Sequence, residues 1–255
     1  MGAGHAHPLY VHEHSPVHRL APEVKLAAAF AFVLAVAVTP REAIWAFAID
    51  AATVGLVIRL ARLPVRFVAA RLAIILPFIA FAFLIPFVAS GERIDVLGVS
   101  VSQVGLWGTW NIIAKATLGA GVSILLAGTT EVPQLLRGLE RLRVPPTLTT
   151  IAAFMVRYLE LLAAELGRMR TAMTARGYDP RWLWQVRPIA AGAGALFIRS
   201  YERGERVHAA MLSRGYSGAM PTIDERVASR REWLAAASAP LTAGIAAAVA
   251  LAVVA

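Results

Sequence analysis

The sequence predicts an all-α integral membrane protein, with about five transmembrane helices and a cytoplasmic domain of two long amphipathic helices and one short one. Three observations lead there. First, 58% of the 255 residues are hydrophobic, more than a soluble domain carries, and they gather into runs that approach the thickness of a bilayer. Second, the 25 basic residues outnumber the 16 acidic ones and sit in connections beside those runs. That is the placement of positive-inside loops, so the charge of +9 reads as topology and not as a nucleic-acid surface. Third, residues 129–231 hold 16 of the basic and 9 of the acidic residues, a density that is costly inside hydrocarbon.

The elements follow in order. Residues 1–22 hold five histidines and three prolines without the apolar core of a signal peptide, and read as a polar, irregular segment. Residues 23–128 hold four spans. The first is "VKLAAAFAFVLAVAVT" (24–39), closed by Pro40, and the second is "AIWAFAIDAATVGLVIRL" (43–60). The third is "LAIILPFIAFAFLIPFVA" (72–89), in which Pro77 and Pro86 are kink sites that a bundle absorbs. After the loop "GERIDVLGVSVSQ", suited to a short hairpin, comes the fourth, 104–128. Residues 232–255 supply the C-terminal span, after the cytoplasmic domain at 129–231. The connection "RLARLPVRFVAAR" carries Arg59, Arg62, Arg66 and Arg71 and belongs inside, whereas the loop after the third span offsets one Arg with Glu92 and Asp95 and belongs outside. The N-terminus and the basic domain are then cytoplasmic and the C-terminus external. The stretch 182–198, with one Arg and one Pro, is the alternative site of entry into the bilayer.

Within 129–231 the short amphipathic piece is "VPQLLRGLERLRV" (132–144). After Pro145 and Pro146, apolar residues recur at Leu148, Ile151, Met155, Leu159, Leu162, Leu166, Met169 and Met173, one stripe of a long helix. Gly177 is suited to terminate it, with Arg176 in the last turn. After Pro188 a stripe poorer in large residues returns at Ile189, Ala193, Leu196, Ser200, Gly204, Val207 and Met211, and Gly192, Ser200 and Gly204 leave room for a neighbouring helix. This helix too ends in Arg-Gly-Tyr, at Arg214, Gly215 and Tyr216, 38 residues after the first. A basic residue followed by Gly is an ordinary helix ending, but two endings that also share Arg168/Arg206, Ala172/Ala210 and Met173/Met211 point to a repeated device. An exposed guanidinium fork at each end suits bidentate capture of a carboxylate.

Spans followed by long helices ending in "ARG" (Ala175, Arg176, Gly177) and "SRG" (Ser213, Arg214, Gly215), with the start "SPVHRLAPEVKL", resemble the transmembrane T component of energy-coupling factor (ECF) ABC importers, most closely its cobalt subgroup. The second motif departs from the family pattern at its first residue. The resemblance covers nearly the whole chain and implies that the two long helices cross in a coupling domain. It implies that the motifs dock onto two cytoplasmic ATP-binding cassette subunits, which bind the ATP, and that the helices cradle a separate substrate-binding membrane subunit. It further implies a bacterial inner-membrane location, no cofactor in this chain, and cobalt as cargo, with nickel or a vitamin as alternative.

No other chemistry competes strongly. Cysteine is absent, which excludes disulfides, thiolate metal sites and cysteine nucleophiles. A P-loop needs Gly-Lys-Ser/Thr, and neither Lys25 nor Lys115 follows a glycine, so the chain reads as non-enzymatic. His5, His7, His12 and His14, with His18 and Glu13, are candidate ligands for a late first-row divalent metal. Pro8 and Pro16 interrupt them without an HExxH spacing, so a polar tail is the plainer reading. Asp50 and Lys115 are ionisable within spans and are expected either to pair or to mark an ion path. Asn111, Trp45, Trp107 and Trp110 read as packing or interface residues. A membrane-embedded enzyme and a stand-alone carrier or channel are the remaining alternatives.

Overall fold

A computed structural model describes residues 10–90, 93–96, 99–178, 186–218 and 227–254. Two compact units divide the chain, one made of Met1–Gly138 with Arg226–Ala255, the other of Leu139–Glu225.

In the first unit, a one-turn helix α1 (Pro16–Arg19) precedes α2 (Pro22–Val38) and α3 (Ile44–Leu60). Pro22 takes the first helical position, where a missing N–H costs nothing. Residues 10–19 are not the loose segment expected from their polarity, because side chains tie them down. Ser15 caps α1 by accepting the His18 N–H, and the Val11 N–H donates to the Gly128 carbonyl at 3.1 Å.

The third apolar run is broken more deeply than a kink. It starts earlier than expected, as α4 (Val65–Leu72), passes through a 3₁₀ turn (Ala73–Ile75), and restarts as α5 (Leu76–Ala82) and α6 (Ile85–Val88). Pro77 and Pro86 explain both restarts, since each removes the N–H that would have reached a carbonyl four residues back. The carbonyl of Ala73 receives the Leu76 N–H instead. The carbonyl of Ala82 receives the Thr109 hydroxyl at 2.9 Å, from α7 (Gln103–Thr129), so a neighbouring helix restores the bond that Pro86 deleted. The approach is close: a Cβ on Gly105 would lie 2.6 Å from the Pro86 Cα. Between α6 and α7 the expected hairpin is present as β1 (Arg93–Val96) paired antiparallel with β2 (Val99–Ser102).

The helix α11 (Arg230–Val254) packs on α2 and α3 through a face of alanines. Ala243, Ala246 and Ala250 are buried there, the last two against Ala43 and Ala46, small residues that let helix backbones approach. Phe32, Val36, Phe47, Val54, Leu118 and Val122 fill the centre, where Phe47 meets Trp110 edge to face with ring centroids 6.2 Å apart. The outward faces remain strongly apolar, with Phe30, Phe78, Phe81, Leu234 and Val253 all standing exposed. Such a surface suits acyl chains and not water.

By length and composition, four stretches among the described residues are able to cross a membrane: Val65–Val88, Gln103–Thr129, Pro146–Ala175 and Arg230–Val253. Two of the expected spans, α2 and α3, are 17 residues each, at the short end of what crosses hydrocarbon. The short amphipathic helix forms as α8 (Val132–Arg141), and a Cβ on its Gly138 would come within 3.0 Å of the backbone where α2 begins.

The second unit holds α9 (Pro146–Ala175) and α10 (Arg187–Leu212). Most of 186–198 belongs to this one continuous helix; residues 182–185 lie outside the described set. The two helices run antiparallel where they touch: Gly192 lies against Met173 and Met169, and Arg199 reaches Glu165 at 2.9 Å. Gly192 thus supplies the close contact expected of it, whereas nothing lies near Gly204.

Candidate functional site

The two matched sequence endings fold into the same hydrogen-bonded shape. At the end of α9 the Gly177 N–H donates to the Thr174 carbonyl at 2.9 Å, and the Tyr178 N–H to the Met173 carbonyl at 3.1 Å. At the end of α10 the Gly215 N–H donates to Leu212 and the Tyr216 N–H to Met211, each at 3.0 Å. Every partner is shifted by the same 38 residues. This is the Schellman ending, in which a left-handed residue turns the chain back on the helix carbonyls. Gly177 and Gly215 occupy that position with φ of +80° and +84°.

The backbone shape alone does not single these ends out. Helices α3 and α8 close in the same way, but there Arg62 and Arg143 sit at the left-handed position with φ of 55° and 67°. A side chain in that conformation costs roughly 1–2 kcal/mol. What sets α9 and α10 apart is a glycine that makes the turn without strain and an arginine just before it. Ala175, Arg176, Ser213 and Arg214 are all exposed, and among the described residues neither guanidinium has an ion-pair or hydrogen-bond partner. The ends are far apart. Arg176 lies near the α9–α10 contact, while Arg214 lies 22 residues beyond Gly192 along α10, roughly 33 Å at the standard rise.

The stripe of α9 is unpartnered over much of its length: Leu148, Ile151, Met155 and Leu159 are 58%, 52%, 68% and 67% exposed. On α10, Leu196, Ser200, Val207 and Met211 are half buried, and Phe197, Ile198, Tyr201 and Leu212 stand out.

Among the described residues no cluster of three or more His, Cys, Asp or Glu side chains is placed to hold a metal. His5 and His7 lie outside the described residues; His12 stacks edge-on against Tyr10 at 4.7 Å and His14 is exposed. His18 is committed elsewhere. Its Nε2 donates to the Val11 carbonyl at 3.1 Å, and its Nδ1 lies 2.7 Å from the Ser15 hydroxyl, which already accepts the His18 N–H. That pattern suits a neutral ring accepting the hydroxyl proton at Nδ1. Burial, and to a smaller extent the charge of Lys25, holds the His18 pKa below its ordinary 6.5. The unfolded chain therefore takes up the proton first as pH falls. Stability from this tie is complete above pH 6.5 and declines below it. Thermal unfolding at pH 7.5 and at 5.5 is expected to show a wild-type loss on acidification that shrinks in His18→Gln.

The expected Asp50–Lys115 pair does not form. Lys115 Nζ donates instead to the Ala37 carbonyl in the last turn of α2, at 2.8 Å. Asp50 is 0% exposed, and neither carboxyl oxygen has a hydrogen-bond partner. Lys25 makes the counterpart contact: its buried Nζ donates to Thr129 O at 2.8 Å, Thr130 Oγ1 at 3.0 Å and His18 O at 3.4 Å. Each of the two lysines thus caps the C-terminal end of the helix that carries the other, Lys25 of α2 serving α7 and Lys115 of α7 serving α2. A cation there answers the negative end of the helix dipole. Sequence reasoning did not find this; the available signal was the use of lysine at only two positions in an arginine-rich chain.

Residues 13–223 match the family of cobalt transport protein CbiQ. The chain belongs to the CbiQ family. It is 31% identical to cobalt transport protein CbiQ of Rhodobacter capsulatus over 170 residues, covering 66% of this chain and 68% of the relative. It is 27% identical to the energy-coupling factor transporter transmembrane protein EcfT of Bacillus selenitireducens, over 82% of both chains. The EcfT of Bacillus subtilis is also 27% identical, over 82% of this chain and 83% of the relative. As a CbiQ-family protein related to EcfT, the chain is a membrane component of an ECF-type transporter. The matched region takes in both Arg-Gly-Tyr endings.

Proposed function

We propose that this CbiQ-family chain is the non-catalytic coupling subunit of an ATP-driven importer. Arg176 and Arg214 each dock on a cytoplasmic ATP-binding cassette subunit, and the exposed stripes of α9 and α10 hold a substrate-binding membrane subunit. ATP is bound and hydrolysed in the partners, and the motion is carried by α9 and α10. The observation that carries this reading is the pair of superposable helix endings, each offering an unpaired guanidinium. Cobalt is the favoured cargo, supported by the name of the Rhodobacter relative. The spans are α2, α3, the broken segment α4 to α6, α7 and α11, with the N-terminus and the α8–α10 region inside a bacterial inner membrane. On this reading α9 lies at the membrane surface although it is long enough to cross. Its Arg157, Glu160, Glu165, Arg168 and Arg170 favour that placement.

Affinity purification of the full chain from membranes should bring down ATPase subunits and a second membrane protein, and cells carrying the set should take up cobalt in preference to nickel. Transport by the chain alone in liposomes would establish a carrier instead. The absence of native cysteine allows a clean topology test. Ser90→Cys is expected to react with an impermeant thiol reagent from outside, and Ser217→Cys only after lysis. Ser217 is preferred to Gly218, whose φ of +101° would strain a side chain. The reverse labelling would overturn the orientation.

A further inference from the structure

Where α2, α3, α7 and α11 come together at the Arg-rich end of the first unit, they line a partly open apolar cavity of about 260 Å³. Val17, Phe32, Val57 and Leu126 form its walls, and Ala29 and Ala239 leave the space because their side chains are small. The polar groups that reach its lining are already satisfied within the protein. Thr53 donates to Ile49 O, Thr129 to Leu125 O and Ser238 to Ala235 O, and Lys25 Nζ has its three oxygen acceptors. A polar ligand inside would find nothing to bond, so the occupant must be a hydrocarbon chain.

Pro16 and Leu20 line this cavity and also an open surface groove formed with His14, Arg19, Arg62 and Glu232. The groove's own lining carries Arg19 and Arg62 against Glu232, and in sequence Arg59 precedes Arg62 at the end of α3 and Arg230 and Arg231 precede Glu232 at the start of α11. Arg62 is exposed and is held in the left-handed conformation that ends α3. An apolar slot and a basic groove sharing a wall match one molecule with an apolar tail and an anionic head.

We propose that this composite site binds an anionic phospholipid, one acyl chain in the cavity and the phosphate in the groove beside Arg62. Annular lipid merely coats a bundle; here the slot lies between helices and the head group meets net positive charge, so binding selects by charge. The proposal concerns the first unit alone and does not depend on the coupling role of the Arg-Gly-Tyr ends.

Native mass spectrometry of the full-length protein in mild detergent tests this, titrating dioleoyl phosphatidylglycerol and dioleoyl phosphatidylcholine, with glycerol 3-phosphate as a chainless head group. Retention of phosphatidylglycerol should exceed that of phosphatidylcholine, and glycerol 3-phosphate should not compete. Arg62→Gly removes the charge while suiting the backbone at φ 55°, so the fold persists. It should lower phosphatidylglycerol retention about fivefold, the factor matching the ~1 kcal/mol of one basic residue near a lipid surface, and leave phosphatidylcholine unchanged. Ala239→Phe, which fills the slot, should lower retention of both lipids. Equal retention of the two lipids with no effect of Arg62→Gly would mean bulk lipid only. Full competition by glycerol 3-phosphate would mean a head-group site without a chain. Either result overturns the proposal.

Discussion

Arg176→Ala combined with Arg214→Ala is expected to abolish copurification of the ATPase subunits and ATP-dependent uptake, while the protein still inserts and folds. Both side chains are exposed and make no ion pair or hydrogen bond among the described residues, so their loss leaves the chain's own packing intact. Truncating one partner of a desolvated charge pair costs about 2–5 kcal/mol, roughly a thirtyfold to several-thousandfold loss in affinity at each contact. Either single substitution should therefore weaken assembly without ending it, because the other helix end, roughly 33 Å away along α10, still holds. Arg→Lys at either position should fail to restore full coupling, since an ammonium does not reproduce the planar fork. Pull-down in detergent and uptake in cells, with membrane expression as control, measure all five variants. Wild-type assembly in the double alanine variant would refute docking through these ends.

Lys25→Met is expected to produce the largest loss of stability from a single side chain. The substitution keeps an apolar stem and removes an ammonium that is 7% exposed and serves two backbone carbonyls and a hydroxyl. Two effects oppose each other. Removing a buried charge relieves its desolvation, but buried acceptors left without a donor cost about 1–3 kcal/mol each, and the favourable contact with the C-terminal end of α7 is lost as well. With three acceptors affected the second effect wins, by about 2–3 kcal/mol net. At the two to four degrees per kcal/mol typical of a chain of this size, the apparent Tm should fall by about 5–10 °C. Lys115→Met removes a single bond, to Ala37 O, and should cost less. An unchanged Tm in Lys25→Met would show that the tie between α2 and α7 is incidental.

Much of this molecule was legible in the chain because the relevant signals are local. Apolar runs located α2, α3, α7 and α11 to within three residues, and prolines followed by apolar stripes of helical spacing located the α9 and α10 starts. The paired endings were legible for the same reason: glycine's tolerance of positive φ and the offset of 38 residues are properties of the sequence, and the Schellman bonds follow from them. Pro77 and Pro86 announced an interruption but not its depth. Whether a helix bends or restarts depends on who receives the orphaned carbonyl, and Thr109 belongs to another helix.

The contacts that only the tertiary structure decided are those between residues distant in sequence. Asp50 and Lys115 invited a pairing because both are charged within apolar runs, yet the side on which each helix faces its neighbours sent Lys115 to Ala37 O and left Asp50 buried with neither carboxyl oxygen bonded. His18 had the spacing of a tail histidine and became a half-buried tie because Val11 and Ser15 fold back onto it. The sequence by itself determined the membrane class, the long helices other than the broken third span, and the duplicated Arg-Gly-Tyr ends, since each depends on residues within one or two turns of one another. The lysine caps, the repair of the proline break and the apolar slot beside the basic groove depend on helix rotation and depth, which short-range propensity does not encode and packing alone sets.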